Sequence, residues 1–135
     1  MKKKIKKKKS IIVYIIILAI IIVTIVNIVI KIKAKENFES EYNQLMGEYS
    51  EIEIGVEAFG NQFEVGEKDK FDSIKVEVDE AKEISENENK YSAKSLDESR
   101  EKCNKIRIEL QEIQQYINKQ KSILKNTDFS EEIMP

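Results

Sequence analysis

One stretch of the chain is hydrophobic without interruption. Ser10–Ile30 reads SIIVYIIILAIIIVTIVNIVI, which holds three polar side chains and no charge. The 20 residues from Ile11 to Ile30 would form a helix about 30 Å long, the hydrocarbon thickness of a bilayer. A single strand would leave its backbone groups unpaired in lipid. The pattern therefore predicts a transmembrane helix over residues 10–32, in preference to a helix or strand buried in a core.

After this stretch, hydrophobic residues recur at alternating steps of four and three, the spacing of a helix that buries one face. The first series is Phe38, Tyr42, Leu45, Tyr49, Ile52, Val56, Phe59 and Phe63. Because no proline interrupts this region and no glycine precedes Gly47, we expect the transmembrane helix to run unbroken into the series. Gly60-Asn61 and then Gly66 are the predicted stops, and Gly66–Lys70 is the predicted connection.

A shorter series predicts a second helix of about 18 residues. It consists of Phe71, Ile74, Val78 and Ala81, with Ile84 beside it. Two patches alternate instead with period two, at residues 52–56 and 74–78, and such alternation is typical of strands. A β-hairpin over residues 51–79 is therefore the alternative. We favour helices because the four-three spacing extends well beyond both patches.

The third series predicts the longest amphipathic helix, of about 31 residues. One heptad position is taken by Leu96, Cys103, Leu110, Ile117 and Leu124, and the other by Ser99, Ile106, Ile113 and Gln120. Residues 85–94 are polar and aperiodic, which indicates a turn. Ser95 and Glu98 fit a capping box that would begin the helix. Residues 128–135 are expected to form a short, loose tail.

These patterns predict an all-α protein: one transmembrane helix followed by an amphipathic helical bundle or coiled-coil-like ectodomain of about three helices, over residues 33–127. The second predicted helix is too short to cover the third, so either it extends through the polar turn or another chain covers the rest of the third helix. We therefore expect an interaction face for another membrane or envelope protein, or for a second copy in a homodimer. Its residues are Leu96, Cys103, Ile106, Leu110, Ile113, Ile117 and Leu124. Cys103 fits either a buried position in the core or a disulfide between copies.

Charge indicates the direction of insertion. Met1–Lys9 carries seven lysines, whereas Lys31, Lys33 and Lys35 follow the apolar stretch. Positive flanks stay inside, so we expect residues 1–9 to be a cytoplasmic tail and the carboxy terminus to lie outside the cell membrane. The apolar run exceeds that of a secretory signal and no small-x-small site follows, which favours an uncleaved signal anchor. The net charge of −9 from residue 31 onward argues against nucleic-acid binding.

The residue inventory excludes several classes of chemistry. The chain has no histidine and one cysteine, so neither a Cys–His pair nor a Ser–His–Asp triad can form. Its four glycines are dispersed and make no phosphate-binding loop. Acidic residues are plentiful but spread along predicted helix exteriors. We expect no enzyme activity, no cofactor and no metal site.

The leading hypothesis is a membrane-anchored helical module that binds another protein or itself, with the lipid bilayer as its other partner. Its layout of basic tail, single span and helical ectodomain resembles that of small bitopic proteins of the bacterial division machinery. The alternative is a sensory or ligand-binding helical ectodomain of a membrane signalling system. A carboxylate-dependent hydrolase is the third and least favoured hypothesis.

Overall fold

The chain folds into three α-helices. The computed structural model describes the backbone of residues 2–60 and 63–133 and the side chains of residues 7–60 and 63–125. The helices are α1 (Lys2–Phe59), α2 (Val65–Glu86) and α3 (Ala93–Ile133), with one turn of 3₁₀ helix at Glu88–Lys90. No strand occurs among the described residues. The predicted all-α class is confirmed.

Helix α1 joins the apolar stretch to the first amphipathic series. Its 58 residues continue without a break through both, as the lack of proline and glycine predicts. The predicted stop at Gly60 is also confirmed, since Gly60 has a φ of 51° directly after the last helical residue. This left-handed conformation is open to glycine and costs other L-residues roughly 1–2 kcal/mol.

Helix α2 begins earlier than the sequence indicates. Gly66–Lys70, predicted to be a connection, lies inside the helix, and the Lys68 backbone N–H donates to the Glu64 carbonyl at 2.9 Å. Because Gly60 has already reversed the chain, no second break is needed.

The β-hairpin alternative for residues 51–79 is wrong for the part of it that the structure describes. Ile52 is buried while Ile54 is 69% exposed, and Val76 is 59% exposed between buried Ile74 and Val78. Residues two apart lie on opposite sides of a helix. Ile54 and Val76 are therefore single exposed hydrophobic side chains and do not belong to the face of a sheet.

Helix α3 begins at Ala93, two residues before the predicted cap at Ser95. The Ser95 backbone N–H donates to Ser92 Oγ at 3.1 Å, which makes Ser92 the cap and places the predicted Ser95–Glu98 box inside the helix. The polar turn is correspondingly short. The helix is 41 residues long and continues to Ile133, six residues into the segment predicted to be a loose tail.

The helices run up, down and up. At one end, here called the proximal end, Lys31 Nζ donates to the Asn89 carbonyl at 3.4 Å, so the α2–α3 turn lies beside the end of the apolar stretch. At the other end, the distal end, the Glu64 backbone N–H donates to Tyr116 Oη at 3.2 Å. Helix α3 is therefore parallel to α1, and its last 17 residues extend about 25 Å beyond this contact.

Each of the three hydrophobic series forms one face of a helix, here called its seam. The core lies where the three seams face one another. The Tyr49 and Phe71 rings stack across α1 and α2 with centroids 5.5 Å apart, and Phe63 meets Tyr116 edge to face at 5.0 Å. The buried members are Ala34, Phe38, Leu45, Tyr49, Ile52, Phe63, Phe71, Ile74, Val78, Ala81, Leu96, Cys103, Ile106, Leu110, Ile113 and Ile117. The core begins at Ala34, immediately after the apolar stretch. The domain is thus built directly onto the end of that stretch.

Candidate interaction surfaces

The predicted interaction face of α3 lies mostly inside the bundle. Six of its seven residues are at most 4% exposed: Leu96, Cys103, Ile106, Leu110, Ile113 and Ile117. Leu124, the seventh, is 39% exposed and lies beyond the distal contact at Tyr116. The seam thus holds the chain's own three helices together. A partner would reach the first six residues only if the bundle opened.

Cys103 is a buried free thiol. Burial raises the pKa of the thiol to about 11, with a further contribution from the negative charge of Glu41. The thiolate, which is the nucleophile and metal ligand, is therefore scarce at neutral pH. In this fold the sulfur is out of reach of a second copy.

Arg107 forms an ion-pair cluster that the hydrophobic pattern does not reveal. Its Nη1 lies 3.0 Å from Glu41 Oε2, and its Nη2 lies 2.9 Å from Glu48 Oε1. Nε adds a hydrogen bond of 3.2 Å to Glu48 Oε2. The two glutamates are seven residues apart, so both project from one side of α1. That heptad spacing beside the seam is the sequence signal for such a pair.

A groove with an apolar floor lies between α2 and α3. Its volume is about 240 Å³ and its floor is apolar, formed by Ala81, Ile84 and Ile106. The rim carries both signs of charge, with Lys102 and Lys105 among three glutamates. Ligand pockets usually occupy about 300–1,000 Å³, so the groove is small for one.

A polar cluster ties the α2–α3 turn to α1 at the proximal end. Lys31 Nζ donates to the Asn89 carbonyl, and Lys35 Nζ donates to Asn89 Oδ1. Asn87 Nδ2 donates to the Glu83 carbonyl at 2.9 Å and so fixes the start of the turn. These contacts hold residues 87–91 against the first helical turns after the apolar stretch.

Glu88 is the most perturbed carboxyl at the proximal end. Partial burial, a hydrogen bond with Glu39 and the negative charge of Glu39 together raise the pKa of Glu88 to about 7, while Lys35 opposes the shift. A carboxyl at this position changes charge close to neutral pH. Below that pH protonated Glu88 is uncharged beside Glu39, and above it the Glu88 carboxylate is repelled by the negative charge of Glu39.

The last two features of the described surface are its acidic side chains and the apolar stretch of α1. No group of three or more Cys, Asp or Glu side chains there is placed to hold a metal ion. The apolar stretch lies in a helix long and apolar enough to cross a membrane, and its most apolar window has a mean hydropathy of 3.2 with no residue buried. Thr24 Oγ1 donates to the Ile20 carbonyl at 2.8 Å, which satisfies its hydroxyl within the helix.

The chain matches no protein-family model, and neither a curated protein nor a solved structure gives a significant match to it.

Proposed function

We propose that the chain is a single-pass membrane protein whose helical domain faces outside the cytoplasm and binds another membrane or envelope protein. The observation that carries this proposal is the contrast within α1. Hydrophobic side chains from Ile11 to Ile32 are about half exposed or more, whereas Ala34 and Phe38, directly after them, are buried in the bundle. Such an apolar surface on all sides of a helix requires lipid or protein around it.

Charge supports the proposed direction. The seven lysines before the apolar stretch outnumber the three that follow it, and the bundle beyond is acidic. Tyr14, which is 72% exposed near the start of the stretch, suits the aromatic belt at the cytoplasmic interface. The bundle needs no membrane contact for its own core, so its outer surface is free to meet a partner.

The buried seam narrows the partner's contact to the outside of the bundle. Because the six buried residues of α3 already pack on α1 and α2, self-association through that seam would compete with folding. A separate protein on the outer helix surfaces is the simpler partner.

Cysteine accessibility tests membrane topology. Asp69→Cys places an exposed thiol at the distal end, whereas the native Cys103 is buried and should not be labelled. A membrane-impermeant maleimide should label Asp69→Cys in intact cells, and Lys4→Cys only after permeabilisation. The opposite pattern would reverse the orientation, and release of the chain by alkaline carbonate would refute the membrane span.

Photo-crosslinking tests partner binding. A photoreactive residue at Val76 or Ile54, both exposed, should give an adduct of one defined mass from the face that meets the partner. Adducts with lipid alone, from both positions, would contradict a protein partner.

The groove between α2 and α3 supports a second candidate, the sensory or ligand-binding ectodomain. Its apolar floor and charged rim suit a small amphiphile, although its volume of about 240 Å³ is below the usual range. Ala81→Leu would fill the groove. If the domain is sensory, Ala81→Leu should abolish its response to a small molecule. If the domain binds a protein instead, the variant should still crosslink to that protein through Ile54.

A further inference from the structure

The proximal end gathers four lysines beside the apolar stretch, and Glu36, Glu39 and Glu86 border them on the side away from that stretch. We define the proximal layer as residues 31–35 and 87–91, which contain Lys31, Lys33, Lys35 and Lys90 against Glu88 alone, a net charge of +3. All other residues after position 35 hold 12 Lys and Arg against 24 Asp and Glu, a net of −12. The fold thus assembles a basic layer from two segments that are more than 50 residues apart in sequence.

The contacts of Asn89 hold the two segments at the same height. Lys31 Nζ reaches the Asn89 carbonyl at 3.4 Å, and Lys35 Nζ reaches its side-chain oxygen. Residues 31–35 rise about 6 Å along the helix axis. Once residues 10–32 span a bilayer, the layer falls within the headgroup region, which extends about 5–7 Å beyond the hydrocarbon on each side.

The lysines of this layer keep their charge available. Lys33 and Lys90 are exposed, and none of the four forms a salt bridge with another described residue. Lys31 and Lys35 donate to oxygens of a neutral residue. Glu88 is the one carboxyl within the layer and Glu39 contacts it from the next turn of α1, so the two residues together offset part of the lysine charge, while burial and Glu39 raise the pKa of Glu88 to about 7.

We infer that the proximal layer binds anionic phospholipid headgroups of the leaflet from which α1 emerges. Phosphate-bearing lipids meet ammonium groups at headgroup depth, while the acidic remainder of the bundle is repelled from the same surface. The domain is thereby held with its α2–α3 turn against the membrane and its distal end away from it. This inference rests on the proposed membrane span.

The seven-lysine tail attracts anionic lipid as well, but at the opposite leaflet. The assay must therefore report lipid composition beside the turn itself. A fluorophore on Glu86→Cys, an exposed position at the end of α2, meets this need because nitroxide quenching does not extend across a bilayer.

The full chain is reconstituted in phosphatidylcholine vesicles with a trace of nitroxide lipid bearing either a phosphatidylglycerol or a phosphatidylcholine headgroup. We expect the phosphatidylglycerol probe to quench the fluorophore roughly two-fold more strongly at equal mole fraction. The preference should vanish in about 1 M salt, where the Debye length is about 3 Å. Equal quenching by both probes at low salt would overturn the inference.

Two pairs of lysine variants distinguish lipid recognition by the proximal layer from an effect of the net charge of the domain. Lys33→Gln with Lys90→Gln should abolish the headgroup preference, whereas Lys68→Gln with Lys75→Gln, which removes the same charge from exposed positions elsewhere on α2, should leave it unchanged. Equal loss in both pairs would overturn recognition by the layer.

A fluorophore at Ile21→Cys, read with a nitroxide deep in the acyl chain, checks the span separately. No quenching there refutes the membrane span itself. If Ile21→Cys is quenched but the two headgroup probes quench Glu86→Cys equally, the membrane span stands and only the recognition of anionic lipid is refuted.

Discussion

Two aliphatic side chains of α3 differ in their contribution to the free energy of unfolding, because one is buried and the other is exposed. Leu110 is fully buried, whereas Ile108, two residues earlier, is 53% exposed. Leu110→Ala leaves a cavity between three helices and should lower the free energy of unfolding by roughly 2–5 kcal/mol. Ile108→Ala removes a similar hydrocarbon volume from the surface and should stay within about 0.5 kcal/mol.

Denaturant titration of the full chain in detergent micelles, followed by far-UV circular dichroism, measures both variants. Similar losses for Leu110→Ala and Ile108→Ala would mean that Ile108 is covered by a second chain or that the seam is not the core.

Glu88 makes stability depend on pH. Its pKa is raised from 4.5 to about 7 in the folded chain, by partial burial first and then by Glu39. The folded state therefore holds the proton more tightly than the unfolded state. The stabilisation is fully present below about 4.5 and is lost as pH rises through about 7.

Glu88→Gln keeps a neutral, hydrogen-bonding side chain at every pH, so it should flatten this part of the pH profile and be more stable than the parent at pH 8. Thermal unfolding across this pH range provides the measurement. Glu83→Gln, an exposed charge change nearby on α2, serves as the control. Identical profiles for the parent and Glu88→Gln would contradict the raised pKa of Glu88.

At the scale of the element, α1 carries two interior glycines in different surroundings. A Cβ at Gly47 would meet no atom within 4 Å, whereas one at Gly55 would lie 3.3 Å from Ile117 Cδ1. Gly47→Ala should therefore stabilise the domain by about 1 kcal/mol through helix propensity alone. Gly55→Ala should gain less, since Ile117 has to move.

The same denaturant titration compares the two alanine variants. Equal gains would show that α1 and α3 do not approach closely at Gly55. A loss at Gly47 would indicate that its exposed face is occupied in the assembled protein.

At the scale of the whole molecule, Cys103 reports on the integrity of the bundle. The thiol is buried among the three helices, and burial raises its pKa to about 11. It should resist maleimide in the folded chain and react only as the domain unfolds, while Asp69→Cys reacts at once. Mild oxidation of membranes should leave a monomer on a non-reducing gel, and a disulfide dimer would show that the bundle opens.

The sequence alone determined every feature that depends on local spacing. Four-three periodicity identified the seams of all three helices, and the uninterrupted apolar run identified the exposed part of α1. These predictions succeeded because side chains three and four apart share a helix face whatever the helix packs against. The stop at Gly60 belongs here too, since its cause is the backbone of one residue.

Only the tertiary structure decided what these faces meet. The α3 seam reads equally well as a core or as an interface, and the packing of α1 and α2 assigned six of its seven residues to the core. The start of α2, the cap at Ser92 and the Arg107 cluster depended on contacts far apart in sequence. The basic proximal layer arises in the same way. It exists only because folding brings residues 87–91 beside residues 31–35, and charge acts through distance in space.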